Sequence, residues 1–498
     1  MSTLSTADAL AGAPAPAPVP AVPAALPPLA VDLDGTLIRA DTLHEGFVAY
    51  VRGDPLGWRP LGRALGQGKA AFKREVCGRA GFDPGLLPYN EALLDYLWAE
   101  KRAGRTIGLF TAADQSIADA VAAHLGGLFD VARGSDGTTN LEGTRKAAAI
   151  REEFGDRFAY AGNSAADLPI FEQAERVILA GPAAPRLRSR LPEGKPVEAD
   201  FPVGRAGPRV WAKALRLPHW AKNSLVFVPP VLGFQFSAGV LGEALLLFVA
   251  MGLLASATYL LNDLFDLSAD RQHPKKRFRP IASGAIPVRD AVAVGAGLVL
   301  VSLCIGLLLP PRAMLALAVY LAVTLTYSLA LKRQPLLDVV VLAGLFTLRI
   351  LAGSFITPGP ISPWLLTFSM LFFLGLATVK RYAELDRVMG AGGDAIVARG
   401  YTARDLPLLL ATGIASGFAA VVIFTIYLIT DHYPRGVYAH PGRLWAMMPL
   451  ILFWTLRMWH LTVHGRMDED PVVFALKDRC SLALGGIMGV ILLLAWSS

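Results

Sequence analysis

Long apolar runs fill the second half of the chain, from about residue 223 to residue 498. A helix needs roughly 20 mostly apolar residues to cross a bilayer, and about nine segments of that kind occur here. They are centred near residues 231, 254, 299, 322, 347, 372, 418, 453 and 489. The chain is 54% hydrophobic and only 17% charged, which is unusual for a soluble protein. The sequence therefore predicts an all-helical integral membrane domain behind a more polar first half.

The loops between these segments alternate in charge. Lys275, Lys276 and Arg277 follow the second segment, and Lys380 and Arg381 follow the sixth, whereas the intervening loops are poor in basic residues. Because Lys and Arg are retained in cytoplasmic loops, nine spans would place the first half inside and the C-terminus outside. We thus predict a multi-pass protein of the inner (cytoplasmic) membrane. These loops account for the net charge of +7, so nucleic-acid binding is not required to explain it.

The first half begins with a Pro/Ala-rich tract, residues 1–28, which predicts a disordered tail. From Leu29 onward, apolar strands alternate with helical patterns, as in a parallel α/β sheet, where ligands bind at the carboxyl ends of the strands. Polar residues stand at such ends or begin the next helix: Asp32, Asp34, Thr111, Lys146, Asn163 and Asp167.

The motifs DLDGT, a strand-end Thr, a Lys and GNSAAD resemble, in that order, the four motifs of the haloacid dehalogenase (HAD) superfamily. The resemblance covers about residues 29–200. It implies a Rossmann-like parallel sheet in which Asp32 is a nucleophile that forms an aspartyl-phosphate and Asp34 is the general acid and base. The insert at about 41–103 is helical in period and resembles a cap.

The same resemblance assigns the remaining polar residues. Thr111 and Lys146 would hold the phosphoryl oxygens, and Mg²⁺ would lie among Asp32, Asn163 and Asp167. The family usually has an acid where Asn163 stands, so the metal site loses a formal charge. Two interpretations stay open, a working phosphatase and a regulatory or vestigial domain.

The stretch NDLFDLSADRQHPKKRFRP, residues 262–280, ends the second apolar segment. Asp263, Asp266 and Asp270 are spaced by three and four residues and share one helix face, beside Asn262. Carboxylates on one face suit Mg²⁺, which bridges to phosphates. The cations that follow, Lys275, Lys276, Arg277 and Arg279, could hold phosphate oxygens. The motif predicts a bound Mg²⁺–diphosphate compound, with a lipid-facing anchor and a solvated acidic face as the alternative.

Residues 209–498 resemble the UbiA superfamily of intramembrane transferases, whose fold has nine transmembrane helices around a cavity. The match narrows to the polyprenyl-phosphate phosphoribosyltransferase branch, closest to its decaprenyl-phosphate enzymes. It lies in LRLPHWAKNSLVFVPP (215–230), residues 262–284, YSLALKRQPLLD (327–338) and KRYAEL (380–385). Aromatic prenyltransferases of this superfamily usually carry a second aspartate-rich motif. Here the corresponding loop offers only Asp338, after Lys332 and Arg333, which favours two anionic substrates.

The resemblance implies a transferase that moves a phosphoribosyl group from phosphoribosyl diphosphate (PRPP) to a polyprenyl phosphate and releases diphosphate. Asp263 and Asp266 would be catalytic through a Mg²⁺ that Asp270 also holds. The residues implied in substrate binding are Lys222, Asn262, Lys275, Lys276, Arg277, Arg279, Tyr327, Lys332, Asp338, Lys380 and Arg381. The HAD-like domain would then remove the 5-phosphate of the lipid-linked sugar, as in cell-wall biosynthesis.

Two other functions remain open. One is an aromatic or quinone prenyltransferase, and the other is a transport or lipid-binding membrane protein with a regulatory HAD-like domain. The predicted domains are a tail (1–28), the HAD-like domain (29–200), a linker and interfacial segment (201–222) and the transmembrane domain (223–498). The sequence also leaves a homo-oligomer open.

Overall fold

The computed structural model describes residues 26–54, 57–79, 82–396, 399–432, 436–467 and 470–497. Residues 1–25 of the predicted disordered tail lie outside this description. The helices and strands up to residue 202 are, in chain order, β1 (Leu29–Val31), α1 (Thr42–Gly53), α2 (Trp58–Gly66), α3 (Lys69–Arg79), α4 (Glu91–Arg102), β2 (Ile107–Asp114), α5 (Gln115–His124), β3 (Val131–Ser135), α6 (Thr144–Phe154), β4 (Ala159–Gly162), α7 (Leu168–Gln173), β5 (Arg176–Gly181), α8 (Ala184–Arg188) and β6 (Val197–Pro202).

The second half is almost entirely helical. Its elements are, in chain order, α9 (Pro208–Ala214), α10 (Val228–Leu232), α11 (Ala238–Phe265), α12 (Leu267–Gln272), α13 (Val288–Gly306), α14 (Pro311–Leu329), α15 (Leu337–Ile356), α16 (Pro363–Gly390), β7 (Ala395–Ile396), β8 (Tyr401–Thr402), α17 (Leu406–Tyr427), α18 (Met447–Val463), α19 (Pro471–Ala475) and α20 (Arg479–Trp496).

Two compact units emerge from the contacts within the chain. The first, the sheet unit, takes in the chain up to Ile38 together with Gln67–Arg74 and Tyr89–Val203. The second, the helical unit, consists of Arg39–Gly66, Glu75–Pro88 and Gly204–Ser498. The insert predicted at 41–103 is thus divided between the two units. The domain boundaries proposed from the sequence stay a prediction.

The sheet unit contains a six-stranded parallel sheet in the order β3-β2-β1-β4-β5-β6. Strands β1, β4 and most of β5 are buried, as expected for parallel strands that helices cover on both faces. The strand β1 lies between β2 and β4, so the strand order changes direction there. Ligands of such sheets bind in the crevice beside that switch point. This confirms the predicted parallel α/β sheet, while the HAD identity is not confirmed by the fold alone.

Among the described residues, eight helices are long and apolar enough to cross a membrane. They are Ala238–Phe265, Val288–Gly306, Pro311–Leu329, Leu337–Ile356, Pro363–Gly390, Ala403–Asp431, Pro441–Val463 and Arg479–Trp496. These match eight of the nine predicted segments.

The predicted segment near residue 231 does not form a helix of that length. A 3₁₀ helix covers Leu217–Phe227, and α10 then continues for only five residues before Gly233. Two prolines, Pro229 and Pro230, remove backbone donors here, which disfavours a long α-helix. The count of nine spans is therefore not confirmed, and the side of the membrane on which the C-terminus lies remains a prediction.

Close backbone packing holds the 3₁₀ helix Leu217–Phe227 in place. At Gly353 of α15, an added Cβ would lie 2.2 Å from the carbonyl oxygen of Val226. A side chain at this position would clash with backbone, which cannot rotate away as a side chain can. Glycine at position 353 thus allows the segment that carries Lys222 to lie directly against α15.

The helix α1 packs onto the end of α11 within the helical unit. Val48 shares a buried cluster with Leu260 and Leu264. Glu45 pairs with Arg271, with contacts of 2.5 and 2.8 Å, and both side chains are largely buried. Because Arg271 adjoins Asp270, this ion pair helps to fix the backbone that carries the acidic motif.

Candidate active site

A cavity of about 240 Å³ opens in the helical unit where α11 ends. Eight cationic side chains and four carboxylates contribute to its wall. The polar lining residues are Arg216, Lys222, Tyr259, Asn262, Asp263, Asp266, Asp270, Lys276, Arg279, Tyr327, Lys332, Lys380, Arg381, Arg399 and Asp470. Apolar residues such as Phe346 and Leu376 complete the wall. A polar cleft of this kind is suited to a strongly anionic ligand.

The three aspartates of the motif all line this cavity, although they do not belong to one continuous helix. Asp263 lies in the last turn of α11, which ends at Phe265, and Asp270 lies in α12. Asp266 occupies the junction between the two helices. At this junction the side chain of Asp266 points toward Lys332, whose ammonium nitrogen lies 2.9 Å from the carboxylate.

Two of the acids converge on one cation. A single nitrogen of Arg279, Nη1, lies 3.1 Å from Asp263 Oδ1 and 2.7 Å from Asp270 Oδ2. Arg216 also donates to Asp263 Oδ1, at 2.5 Å. Both carboxylates are almost completely buried. The carboxylates of Asp263 and Asp270 can therefore bind one cation jointly, at the position that Arg279 Nη1 occupies.

This geometry permits a test of the predicted Mg²⁺ site. Among the described residues, no group of three or more His, Cys, Asp or Glu side chains is placed to hold a metal ion. Mg²⁺, however, commonly takes one or two carboxylates and completes its shell with waters and substrate phosphates. Asp263 and Asp270 supply such a pair. Asp263 and Asp270 therefore fit a Mg²⁺ ion held by two carboxylates. Asp266 is instead paired with Lys332.

A second charged cluster forms another part of the cavity wall. Asp470 Oδ2 accepts hydrogen bonds from Lys222 at 2.6 Å and from Lys380 at 2.9 Å. Lys222 also lies over the ring of Phe346, 5.5 Å from its centre. Burial lowers the pKa of Lys222 to about 8, and the carboxylate of Asp470 opposes this lowering. Burial would raise the pKa of Asp470, but the two lysines outweigh it and hold that pKa below the ordinary range.

The hairpin of β7 and β8 brings a further cation to the cavity. Arg399 donates to the hydroxyl of Tyr327 at 2.7 Å. Tyr401 anchors the hairpin, since its hydroxyl donates to Asp338 at 2.5 Å and accepts from the backbone N–H of Leu336 at 2.7 Å. Asp338 is fully buried and pairs with Arg381 at 2.7 Å. Asp338 lies behind the cavity wall and holds in place both Tyr401 and Arg381, of which Arg381 lines the cavity.

The cavity collects most of the residues predicted from the sequence, but not all of them. Lys275, Arg277 and Asp338 are outside its lining, and the first two are exposed to solvent. Four polar lining residues were not predicted: Arg216, Tyr259, Arg399 and Asp470. Arg216 belongs to a stretch that carried the family resemblance and could have been found there. Asp470 has no local signal, because it reaches Lys222 from 248 positions along the chain.

The sheet unit has its own buried polar cluster at the carboxyl end of β1. Lys146 donates to Asp32 at 2.6 Å and to the hydroxyl oxygen of Tyr160 at 3.2 Å. Burial raises the pKa of Asp32 to about 6, although Lys146 opposes the rise. Burial would lower the pKa of Lys146, but the carboxylates of Asp32 and Asp167 raise it above its ordinary value. An ionised carboxylate beside a buried ammonium is the arrangement expected of a nucleophile that attacks an anionic group.

Other predicted residues of this unit lie in the turn after β1 and in β2. Gly35 adopts a φ of +73°, and a Cβ there would lie 2.0 Å from the amide nitrogen of Asn163, so the turn after β1 requires glycine. Thr111 is fully buried and accepts from the backbone N–H of Ala113 at 3.0 Å. Asp34, the predicted acid and base, is half-buried in the turn after β1.

The Mg²⁺ site predicted from Asp32, Asn163 and Asp167 does not fit this arrangement. The carboxylate of Asp167 already accepts from the Tyr160 hydroxyl, from the backbone N–H groups of Asn163 and Ser164, and from the Ser164 hydroxyl, at 2.9 to 3.1 Å. Asn163 brings no charge. In this geometry Asp167 acts as a capping residue that closes the turn after β4.

The helical part of the chain is similar in sequence to proteins of a known family. The sequence model of the UbiA prenyltransferase family matches residues 226–477. A protein of Sinorhizobium fredii, designated uncharacterized protein y4nM, is 42% identical over 93% of this chain and 89% of its own length. That alignment includes 468 residues, so it extends through both units.

Two further relatives match over little more than half of the chain. Nodulation protein NoeC of Azorhizobium caulinodans is 30% identical over 57% of this chain and 93% of its own length. Decaprenyl-phosphate phosphoribosyltransferase of Mycobacterium tuberculosis is 32% identical over 54% of this chain and 87% of its own length. A solved UbiA homolog from Archaeoglobus fulgidus bound to GPP and Mg²⁺ covers 57% of this chain and 96% of its own, with 17% identity and a TM-score of 0.44.

Proposed function

The chain belongs to the UbiA prenyltransferase family, and from this premise we propose that it transfers the phosphoribosyl group of PRPP to a polyprenyl phosphate. The described residues include eight helices able to cross a bilayer, and the protein is an integral membrane protein. The observation that carries the proposal is the charge of the cavity, where eight cations face four carboxylates. Such an excess of positive charge suits two phosphorylated substrates together. A relative named decaprenyl-phosphate phosphoribosyltransferase supports the same choice.

In the proposed reaction, an oxygen of the lipid phosphate forms a bond to C1 of the ribose. The bond from C1 to the diphosphate oxygen breaks, and its electron pair leaves with diphosphate. Asp263 and Asp270 would hold Mg²⁺, with Asp266 nearby. The ion, when bound, supplies positive charge that stabilises the departing diphosphate.

The cations of the cavity would orient the two substrates. Arg279 and Lys276 lie beside the acidic motif and are suited to the diphosphate or the 5-phosphate of PRPP. Lys222 and Lys380 form a separate pair around Asp470 and are suited to the lipid phosphate. The acceptor oxygen is already anionic, so little help from a general base is needed. Holding both anions in one cavity lowers the entropic cost of their reaction.

We also propose that the sheet unit is a HAD-like phosphatase that removes the 5-phosphate of the product. Asp32, positioned by its contact with Lys146, would attack phosphorus, and the departing ribose oxygen would take a proton from Asp34. Asp34 would then accept a proton from the water that hydrolyses the aspartyl-phosphate and releases phosphate. Lys146 offsets the repulsion between the carboxylate and the phosphate. A phosphatase on the same chain would meet the lipid product at high effective concentration.

The membrane topology and the domain boundaries are proposed as well. The charged loops and the sheet unit would face the cytoplasm, where PRPP is soluble, and the C-terminus would lie outside. We propose the domain boundaries inferred from the sequence, with a tail at 1–28, a cap-like insert at about 41–103 and a linker at 201–222. The product would be a lipid-linked sugar of the kind used to build cell walls.

A donor screen tests the proposal. Full-length protein in liposomes with decaprenyl phosphate is supplied with PRPP and Mg²⁺, and diphosphate release is followed. We expect release and a phosphoribosylated lipid, both abolished by chelation of the metal. A parallel arm offers geranyl diphosphate and 4-hydroxybenzoate. Turnover in that arm, with none from PRPP, would replace the proposal with an aromatic prenyltransferase, and turnover in neither arm would favour a non-enzymatic membrane protein.

A further inference from the structure

The carboxylate of Asp470 joins two lysines that come from distant elements. Lys222 belongs to the 3₁₀ helix Leu217–Phe227 and Lys380 to α16, and both donate to the same oxygen, Oδ2. Lys222 is only 8% exposed, so its ammonium has little access to bulk water. Asp470 thus fixes the positions of two cations that the sequence alone does not place together.

The charge on Lys222 depends on that carboxylate. Four charged or titratable groups interact electrostatically with Lys222. Asp470 directly precedes α19, Lys380 lies in α16, Arg349 lies in α15, and His219 lies in the same 3₁₀ helix as Lys222. Burial lowers the pKa of His219 to about 4, so this imidazole is neutral near pH 7. Lys380 and Arg349 are both positive and disfavour a charge on Lys222. Asp470 is therefore the group in this set that favours the protonated ammonium.

The hydrogen-bonding capacity of the pair leaves room for a ligand. An ammonium has three N–H donors. Among the described residues, one N–H of each lysine donates to Asp470. The remaining donors are available at the wall of the cavity, where both lysines lie.

We propose that Asp470 is a positioning residue that keeps Lys222 and Lys380 together and protonated as the binding site for the acceptor phosphate. This inference rests on the proposed function, since it assigns the second substrate to a defined part of the same cavity. The phosphate binds through the free N–H groups of the two ammoniums. Asp470 stays hydrogen-bonded beneath them and does not contact the phosphate.

A purely structural role for Asp470 is the alternative. Its other oxygen, Oδ1, accepts from the backbone N–H of Val472 and caps the short helix α19. Asparagine caps helices about as well as aspartate. The variant Asp470→Asn therefore keeps the cap and removes the charge, which separates the two roles.

Binding of a short lipid phosphate provides the test. Full-length wild type and Asp470→Asn, both in detergent micelles, are titrated with farnesyl phosphate and with farnesol at pH 8.0 and pH 6.5. Without Asp470 the pKa of Lys222 falls further, so the ammonium is lost at pH 8.0. We expect farnesyl phosphate to bind about fivefold more weakly to the variant at pH 8.0, because a fall of about one pKa unit lowers the protonated fraction of Lys222 from about one half to about one tenth. The difference in affinity for farnesyl phosphate between wild type and Asp470→Asn should narrow at pH 6.5. Farnesol should bind equally well to both proteins at both pH values.

Matched variants distinguish charge from packing. Asp478→Asn removes another ion-paired capping aspartate, which bonds Arg457 and the backbone N–H of Ser481 outside the cavity, and should leave both titrations unchanged. Asp470→Glu keeps the charge and should restore farnesyl phosphate binding at pH 8.0. In the transfer assay, Asp470→Asn should raise KM for the lipid phosphate and leave KM for PRPP unchanged.

Several results would overturn the inference. Equal farnesyl phosphate binding by wild type and Asp470→Asn would do so, as would a deficit that does not narrow at pH 6.5. Should that variant fail to fold, wild type alone is decisive, because its affinity for farnesyl phosphate must fall as the pH rises through about 8. Wild type that binds farnesyl phosphate without releasing diphosphate from PRPP would refute the proposed function, and only a phosphate-binding site at Lys222 and Lys380 would then remain.

Discussion

At the scale of single residues, the acidic motif is balanced by cations that come from outside it. Asp263 is paired with Arg216 and Arg279, and Asp266 is paired with Lys332. Asp263 is buried, so it would carry a large desolvation cost without such partners. The same cations are the groups that a diphosphate would contact. Binding of substrate with its metal ion would thus exchange one set of charge pairs for another inside the cavity.

Substitution of Asp263 by Asn tests the role of the motif. The amide has the same shape but cannot neutralise a divalent cation, so we expect phosphoribosyl transfer to fall by at least about a hundredfold. The rate of diphosphate release by the variant should also depend less steeply on Mg²⁺ concentration. Both quantities are measured in the liposome assay.

The partly exposed residue Asp290 offers the control for this variant. It pairs with Arg289 at 3.2 Å on the surface of α13, so Asp290→Asn should behave as wild type. Thermal melting shows whether each variant is folded. A folded Asp263→Asn protein with a normal transfer rate would remove Asp263 from the mechanism.

At the scale of elements, the cavity depends on how closely α15 approaches the 3₁₀ helix Leu217–Phe227. Gly353 permits this approach because it has no side chain to meet the backbone of Val226. Arg349, one turn before Gly353, bonds Asn223 of the same 3₁₀ helix at 2.9 Å. These contacts position Lys222 relative to the rest of the cavity. A shift of this interface would therefore move a binding residue without any change in the residue itself.

Replacement of Gly353 by Ala should destabilise this interface. Forcing a methyl group into a packed interior usually costs about 1–3 kcal/mol. We expect a lower melting temperature and a higher KM for the lipid phosphate, because the 3₁₀ helix must move away from α15. Differential scanning calorimetry and the transfer assay measure the two effects.

The matched control lies on the same helix. An added Cβ at Gly344 meets no atom within 4 Å. Gly344→Ala should therefore be neutral or slightly stabilising, since alanine favours the helix by about 1 kcal/mol over glycine. If both variants melted at the same temperature, the close approach at Gly353 would not matter to stability.

At the scale of the whole molecule, two candidate active sites occur on one chain, one in each compact unit. The relative from Sinorhizobium fredii aligns across both of them. A chain that joins a transferase to a phosphatase can process the product before it diffuses away in the membrane. If transfer comes first and dephosphorylation second, each reaction can be blocked separately by a variant in its own site.

The variant Asp32→Asn should separate the two reactions. Loss of the nucleophile should leave phosphoribosyl transfer intact, so the lipid-linked ribose 5-phosphate accumulates in place of the dephosphorylated lipid. Mass spectrometry of the extracted lipids distinguishes the two products. Asp200→Asn, which alters a surface ion pair with Arg188, serves as the control in the same unit.

Mixing two variants adds a second measurement. Asp32→Asn and Asp263→Asn in the same liposomes should together yield the dephosphorylated lipid, whereas in separate liposomes they should not. Dephosphorylated product from Asp32→Asn alone would show that the sheet unit does not act on this lipid.

Much of the architecture could be predicted because it follows from local patterns. Eight of the nine predicted spans are long helices, since each is an apolar run that must satisfy its own backbone. The ninth is not confirmed, because apolar composition does not reveal the effect of Pro229 and Pro230 on helix length. The parallel sheet was likewise predictable from its buried strands.

The candidate site was only partly predictable, for a physical reason. The sequence by itself placed Asp263, Asp266 and Asp270 close together at the end of an apolar helix, because the first and the last are only seven positions apart. The helix ends at Phe265, so the helical period does not fix their arrangement. Packing decided that Asp263 and Asp270 share Arg279 while Asp266 faces Lys332. It alone brought Asp470 to Lys222, and it buried Asp338 behind the wall. Contacts between residues hundreds of positions apart depend on how helices pack in three dimensions, which the periodicity of the sequence does not specify.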